Sequence, residues 1–146
     1  MKLLITGGEQ RRPRGLVAGK QYWYKYRQAH LVELDTETAT TRTLLSYESP
    51  AEAAADDEPA VLFKQGTRLD DELLLTTQTE VLILAYPSLE RRGYISLPEF
   101  NDVHHVIPGT RPDTLLVINT GLDQLIEVTR SGEVVDRRSV VSDDPW

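Results

Sequence analysis

Three stretches of this chain carry the same alternation of apolar runs and turns. The clearest runs from Leu115 to Thr120, then Gln124 to Val128, a turn at Thr129 to Glu133, and Val134 to Val141. A second reads Leu73 to Thr77, Val81 to Leu84, a turn at Tyr86 to Ser88, and Gly93 to Leu97. The third is more degraded: Gly15 to Ala18, His30 to Leu34, a turn at Asp35 to Thr38, and Arg42 to Ser46. Upstream of each lies one more candidate strand, at Lys2 to Thr6, Ala60 to Lys64 and Asp102 to Ile107. Short runs rich in Val, Ile, Leu, Thr and Tyr, bounded by Gly, Pro, Asp and Ser, read as strands, and no long 3.6-residue stripe competes with them. One helical turn is expected within Ser49 to Asp57, where Ser49 can cap, Pro50 suits the first helical position and Glu52 sits three residues after the cap.

Four short strands recurring every roughly 40 to 50 residues match the period of β-propeller blades. The expected fold is therefore all-β and β-propeller-like, with three four-stranded blades over residues 1–48, 60–100 and 101–141 and an acidic connector at 49–59, in a single domain spanning 1–146. Three blades do not close a ring, because propellers typically use about four to eight. An open arc leaves an apolar blade face at each end, and such faces favour association. The expected partner is a second copy, making a six-bladed homodimer in which the N-terminal blade of each chain packs on the C-terminal blade of the other. The alternative is the missing half of a longer chain.

Composition narrows the chemistry. The chain has no cysteine and three histidines, which removes disulfides and thiolate chemistry and leaves few soft metal ligands. A formal charge of −7 disfavours broad nucleic-acid or anionic-membrane binding. There is no apolar run long enough to span a bilayer, and Met1 leads directly into a strand, so a cytoplasmic location is expected. No phosphate loop, nucleophile elbow or dinucleotide fingerprint occurs, and no cofactor is called for. The carboxylates Asp70, Asp71 and Glu72 lack the spacing of a calcium loop and read as a solvated turn, and His30 has no partner at zinc-ligand spacing, so no metal site is expected.

Candidate chemistry concentrates around Asp102-Val103-His104-His105-Val106, Leu115 to Asp123 and Glu127 to Val135. These segments resemble a blade of the six-bladed propellers of the bacterial arylsulfotransferase-like and NHL-like kind, in which a His-bearing inner strand precedes a strand ending in Asn-Thr. The resemblance covers residues 100–140 best, then 60–100, and is weakest over 1–50. It implies a channel-facing inner strand, with His104 as a candidate acid/base, Asp102 as its orienter, and Lys64, His105 and Asn119 as candidate ligand contacts. Strict alternation places Asp102 and His104 on one strand face and Val103, His105 and Ile107 on the other, with His105 a hydrogen-bonded core histidine. Tyr22, Trp23 and Tyr24, interleaved with Lys20, Lys25 and Arg27, form a further candidate binding surface through stacking and cation–π contacts. The leading expectation is a non-enzymatic module that self-associates to complete a ring; the alternative is a propeller enzyme or small-ligand binder using His104 on a sulfated or phenolic substrate.

Overall fold

The computed structural model of the chain describes residues 1–10, 26–53 and 60–141. The chain divides into two compact units, 1–63 and 64–146.

In the first unit, β1 (Lys2–Gln10), β2 (Tyr26–Asp35) and β3 (Thr40–Tyr47) form an antiparallel sheet in the order β1-β2-β3. Four strands are expected here and three are found among the described residues; Gly15 to Ala18 lies outside them. The β2–β3 turn is set by Asp35, whose Oδ1 accepts the Glu37 N–H at 2.9 Å, a local bond that offers the backbone an alternative to further strand pairing. Ala29 and Leu31 are fully buried on one face of β2. The expected helical turn appears as a 3₁₀ turn at Ala51–Ala53.

Ala60 to Lys64 is not a strand, contrary to its apolar pattern. Val61 and Phe63 are buried, and the Phe63 ring stacks on Tyr47 with centroids 5.9 Å apart. The backbone here bonds outside any ladder, Val61 N–H to Tyr26 O and Phe63 N–H to Gly7 O, each at 3.0 Å. The apolar residues signalled burial correctly, but burial does not require sheet pairing.

The second unit holds two four-stranded sheets of like topology. One contains β4 (Gly66–Leu69), β5 (Glu72–Thr76), β6 (Val81–Ala85) and β7 (Arg91–Ile95) in the order β4-β5-β6-β7. The other contains β8 (Val103–Pro108), β9 (Thr114–Asn119), β10 (Gln124–Thr129) and β11 (Val134–Ser139) in the order β11-β10-β9-β8. They share a core in which Leu74, Val81 and Ile83 meet Val106, Val117 and Ile126. Leu73, Leu75, Leu82 and Leu84, on the opposite side of β5 and β6, are at most 3% exposed. That double burial is why these strands read as continuous apolar runs rather than alternating ones.

One irregularity recurs in all three sheets. The pairing register slips between Leu31 and Val32 in β2, between Ile83 and Leu84 in β6, and between Glu127 and Val128 in β10. A bulge inserts one unpaired residue and bends its strand, so a shared position allows the sheets to be aligned rung by rung. On that alignment Leu31, Ile83 and Glu127 are equivalent, and so are their cross-strand partners Thr6, Leu74 and Leu116. On the opposite side of each sheet Val32, Leu84 and Val128 are equivalent, with partners Ile5, Leu73 and Leu115.

Candidate functional site

Asp102 precedes β8 with φ at +55°, a left-handed conformation that Asp tolerates better than most residues. Its carboxylate is ion-paired and hydrogen-bonded to the ammonium of Lys64, whose side chain is largely buried. Thr120 Oγ1 donates to Asp102 Oδ2 at 3.0 Å. Burial pushes the Asp102 pKa up, but the Lys64 hydrogen bond and charge, helped by Thr120, hold the carboxyl below its ordinary value. The predicted Lys64 and Asp102 are thus brought together, with Thr120 as a partner the sequence did not flag.

His104 is placed differently. A register slip between Val103 and His105 interrupts the β8–β9 ladder, so Val103 faces Asn119 and His105 faces Ile118. The alternation that would put Asp102 and His104 on one face is broken at that point, and no hydrogen bond joins their side chains. His104 is exposed, and its backbone carbonyl accepts Thr76 Oγ1 at 3.2 Å. For a carboxylate to orient an imidazole the two must bond; here the carboxylate is taken up by Lys64 and Thr120.

His105 departs from the expected hydrogen-bonded core histidine. Its Nδ1 is buried with no hydrogen-bond partner among the described residues. Burial, then the charge of His104, pushes its pKa below the ordinary value. Asn119 is fully buried and ties down the segment entering β8: its Oδ1 accepts the Asn101 N–H at 2.8 Å, and its Nδ2 donates to Glu99 O at 3.0 Å. Tyr22, Trp23 and Tyr24 lie outside the described residues.

A second constellation, at Glu127, was not singled out from sequence. This residue points to the face of β10 away from the shared core, yet is 3% exposed. The loop between β8 and β9 closes on it. Glu127 Oε1 accepts Thr114 Oγ1 at 2.5 Å, Thr110 N–H at 2.8 Å and Arg111 N–H at 3.0 Å, and Oε2 accepts Thr110 Oγ1 at 2.8 Å. The hydroxyls of Thr114 and Thr110, followed by the two backbone donors, bring its pKa down to about 2. Gly109 permits this approach, because a Cβ there would collide with Thr114 Oγ1 and come within 2.7 Å of Glu127 Oε1. The available signal was a lone carboxylate within the apolar run Leu125-Ile126-Glu127-Val128.

Beside Glu127 the sheet surface is hollowed into a cavity of about 140 Å³, lined by Thr110, Leu116, Leu125, Glu127, Asp136 and Arg138. Its floor is aliphatic. At its rim the exposed Arg138 pairs with Asp136 at 3.0 Å. Leu116, Ile118 and Leu125 are only half-buried, whereas Leu74 and Val81, the equivalents of Leu116 and Leu125, are fully buried in the shared core. This face has the makings of a docking surface, with an apolar centre, a satisfied buried carboxylate and a charged edge.

Among the described residues no group of three or more His, Cys, Asp or Glu side chains is placed to hold a metal ion, and no helix is long and apolar enough to cross a membrane. Asp71, in the acidic triplet, instead pairs with Arg92 at 2.8 Å, and Glu72 with Arg130 at 2.9 Å.

No protein-family model matches the sequence, and no curated protein matches it. Among solved structures the chain is similar to the WD40 domain of Pan2 from Neurospora crassa, with 14% sequence identity and a TM-score of 0.53. The match covers 84% of this chain and 34% of that one, so the chain spans about a third of the length of the structure it matches. The likeness supports a propeller-like fold, with three antiparallel sheets of three to four strands as its blades.

Proposed function

We propose that this chain is an assembly module, a partial propeller whose uncovered sheet face binds a second copy so that two copies complete a ring of six sheets. The observation that carries this reading is the half-buried state of Leu116 and Leu125 around the cavity, at rungs where the preceding sheet is fully covered. Apolar area left in water favours association at roughly 25 cal/mol per Å² before the costs of ordering are met. Three sheets fall short of the four or more that a closed propeller needs, and doubling gives six. The resemblance of residues 100–140 to blades of six-bladed propellers supports the same count. The similarity to a WD40 domain is compatible with a binding role rather than a catalytic one, and the engagement of Asp102 by Lys64 and Thr120 leaves His104 without an orienting carboxylate.

Light scattering and sedimentation at micromolar concentration test this directly. The expected result is a species of twice the chain mass that dissociates on dilution. A well-folded monomer across that range removes the reading and leaves the open face to a different polypeptide or to further sheets of a longer chain.

A further inference from the structure

The proposed assembly leaves open which surfaces meet, and the recurring bulge identifies them. We infer that the contact is head-to-tail: the face of the first sheet bearing Ile5, Gly7, His30 and Val32 packs on the face of a second copy's third sheet bearing Leu116, Ile118, Leu125 and Glu127. This rests on the self-association proposed above.

The rung alignment supplies the argument. Ile5, Gly7, His30 and Val32 occupy the positions of Leu115, Val117, Ile126 and Val128 in the third sheet. Those four form the side of the third sheet that packs into the core shared with Leu74, Val81 and Ile83. Leu116, Leu125 and Glu127 occupy the positions of Leu74, Val81 and Ile83. A head-to-tail contact therefore repeats, between copies, a sheet-on-sheet geometry that each chain already builds within its second unit.

The first-sheet face has the properties such a contact needs. Ile5 is 44% exposed and its same-face neighbour Leu3 is 41% exposed. Gly7 stands next to Ile5 on that face, where glycine weakens a strand. Its φ is not in the left-handed region, and a Cβ added to it would meet nothing within 4 Å among the described residues. Gly8, on the other face, is explained by its own chain: a Cβ there would lie 2.8 Å from the Leu62 Cβ. Among the described residues no such internal reason exists for Gly7, and close approach of a second sheet provides one.

Charge fits as well. Around Ile5 this face carries Leu3, Gly7, His30, Val32, Leu34 and Thr43, and Glu9, the next residue of β1 on the same side, is paired with Arg27 at 3.0 Å, although the chain has 23 acidic against 16 basic residues. The opposing face has Glu127 where the second sheet has Ile83, and its lining charges, Glu127 and Asp136 against Arg138, sum to one negative. His30, at the position of Ile126, brings a polar ring, with Nδ1 within 3.0 Å of Ser46 Oγ. Pairing two third-sheet faces about a two-fold axis would instead bring like carboxylates together, which is unfavourable.

Ile5→Glu and Leu125→Glu test the pairing, with Gly7→Glu as a second first-sheet variant whose side chain points into open space. Circular dichroism first confirms that each variant is folded, and native mass spectrometry then reads the assembly. Each variant alone is expected to be monomeric. An equimolar mixture of isotopically labelled Ile5→Glu with Leu125→Glu is expected to form a mixed dimer, because one intact first-sheet face still meets one intact third-sheet face. A dimer lost in Leu125→Glu but kept in both Ile5→Glu and Gly7→Glu, or a mixture that stays monomeric beside a dimeric wild type, overturns the head-to-tail contact and leaves self-association standing. A monomeric wild type overturns both.

Discussion

At three equivalent rungs the second sheet carries Leu74, Val81 and Ile83, and the third carries Leu116, Leu125 and Glu127. The first set is at most 2% exposed. In the second set the two leucines are half-buried and only the carboxylate is sealed. Residue type alone would predict the reverse. Neighbours decide it: the leucines lack a covering sheet within their unit, while Glu127 draws the Gly109 to Thr114 loop over itself through four hydrogen bonds. The third sheet thus keeps an apolar face open without leaving a buried charge unsatisfied.

Truncation at equivalent rungs should separate the two sheets most strongly. Leu74→Ala is expected to cost about 2–5 kcal/mol in urea unfolding, the range for a buried leucine that leaves a cavity. Leu116→Ala, measured at concentrations where the chain is monomeric, should cost less than about 1 kcal/mol, since much of its side chain is already in water. Equal costs would mean that the outer face of the third sheet is covered after all.

Acid titration comes next. The Glu127 pKa is about 2 when folded against 4.5 ordinarily, so its contribution to stability is fully present above about pH 4.5 and is lost as pH falls toward 2. Glu127→Gln should flatten that part of the stability profile relative to wild type, read by thermal unfolding at stepped pH. Superimposable profiles would show that the loop does not hold a carboxylate.

The smallest effect is expected at the edge of the same sheet. His104→Ala removes an exposed side chain and should change stability by less than about 0.5 kcal/mol, with no change in assembled mass. A larger loss, or a ligand whose binding disappears, would return His104 to the centre of the problem.

Apart from β4, the strands of the second and third sheets were legible because their apolar runs are short, rich in β-formers and closely punctuated. Ala60 to Lys64 misled because Val61 and Phe63 are buried without joining a ladder, a distinction invisible to periodicity. β4, with the sequence Gly66-Thr67-Arg68-Leu69, has too little apolar character to stand out. The Asp102–His104 pairing failed at a bulge, since alternation holds only while the register does. Glu127 was hidden for another reason: its partners lie 13 to 17 positions upstream, and sequence spacing does not reveal which loop folds back onto a strand.

The bulge that aligns the three sheets also bears on folding fidelity. Because Leu44, Arg92 and Val135 are each skipped opposite the same rung, the backbone of one two-strand segment would fit into another sheet of the chain, and repeated segments are prone to such exchange. Side chains must provide the discrimination. A β9–β10 hairpin inserted in place of β5–β6 would carry its carboxylate into an aliphatic layer, out of reach of the Thr110 and Arg111 donors of the β8–β9 loop, and the cost of that under-bonded charge proofreads the order of the repeats.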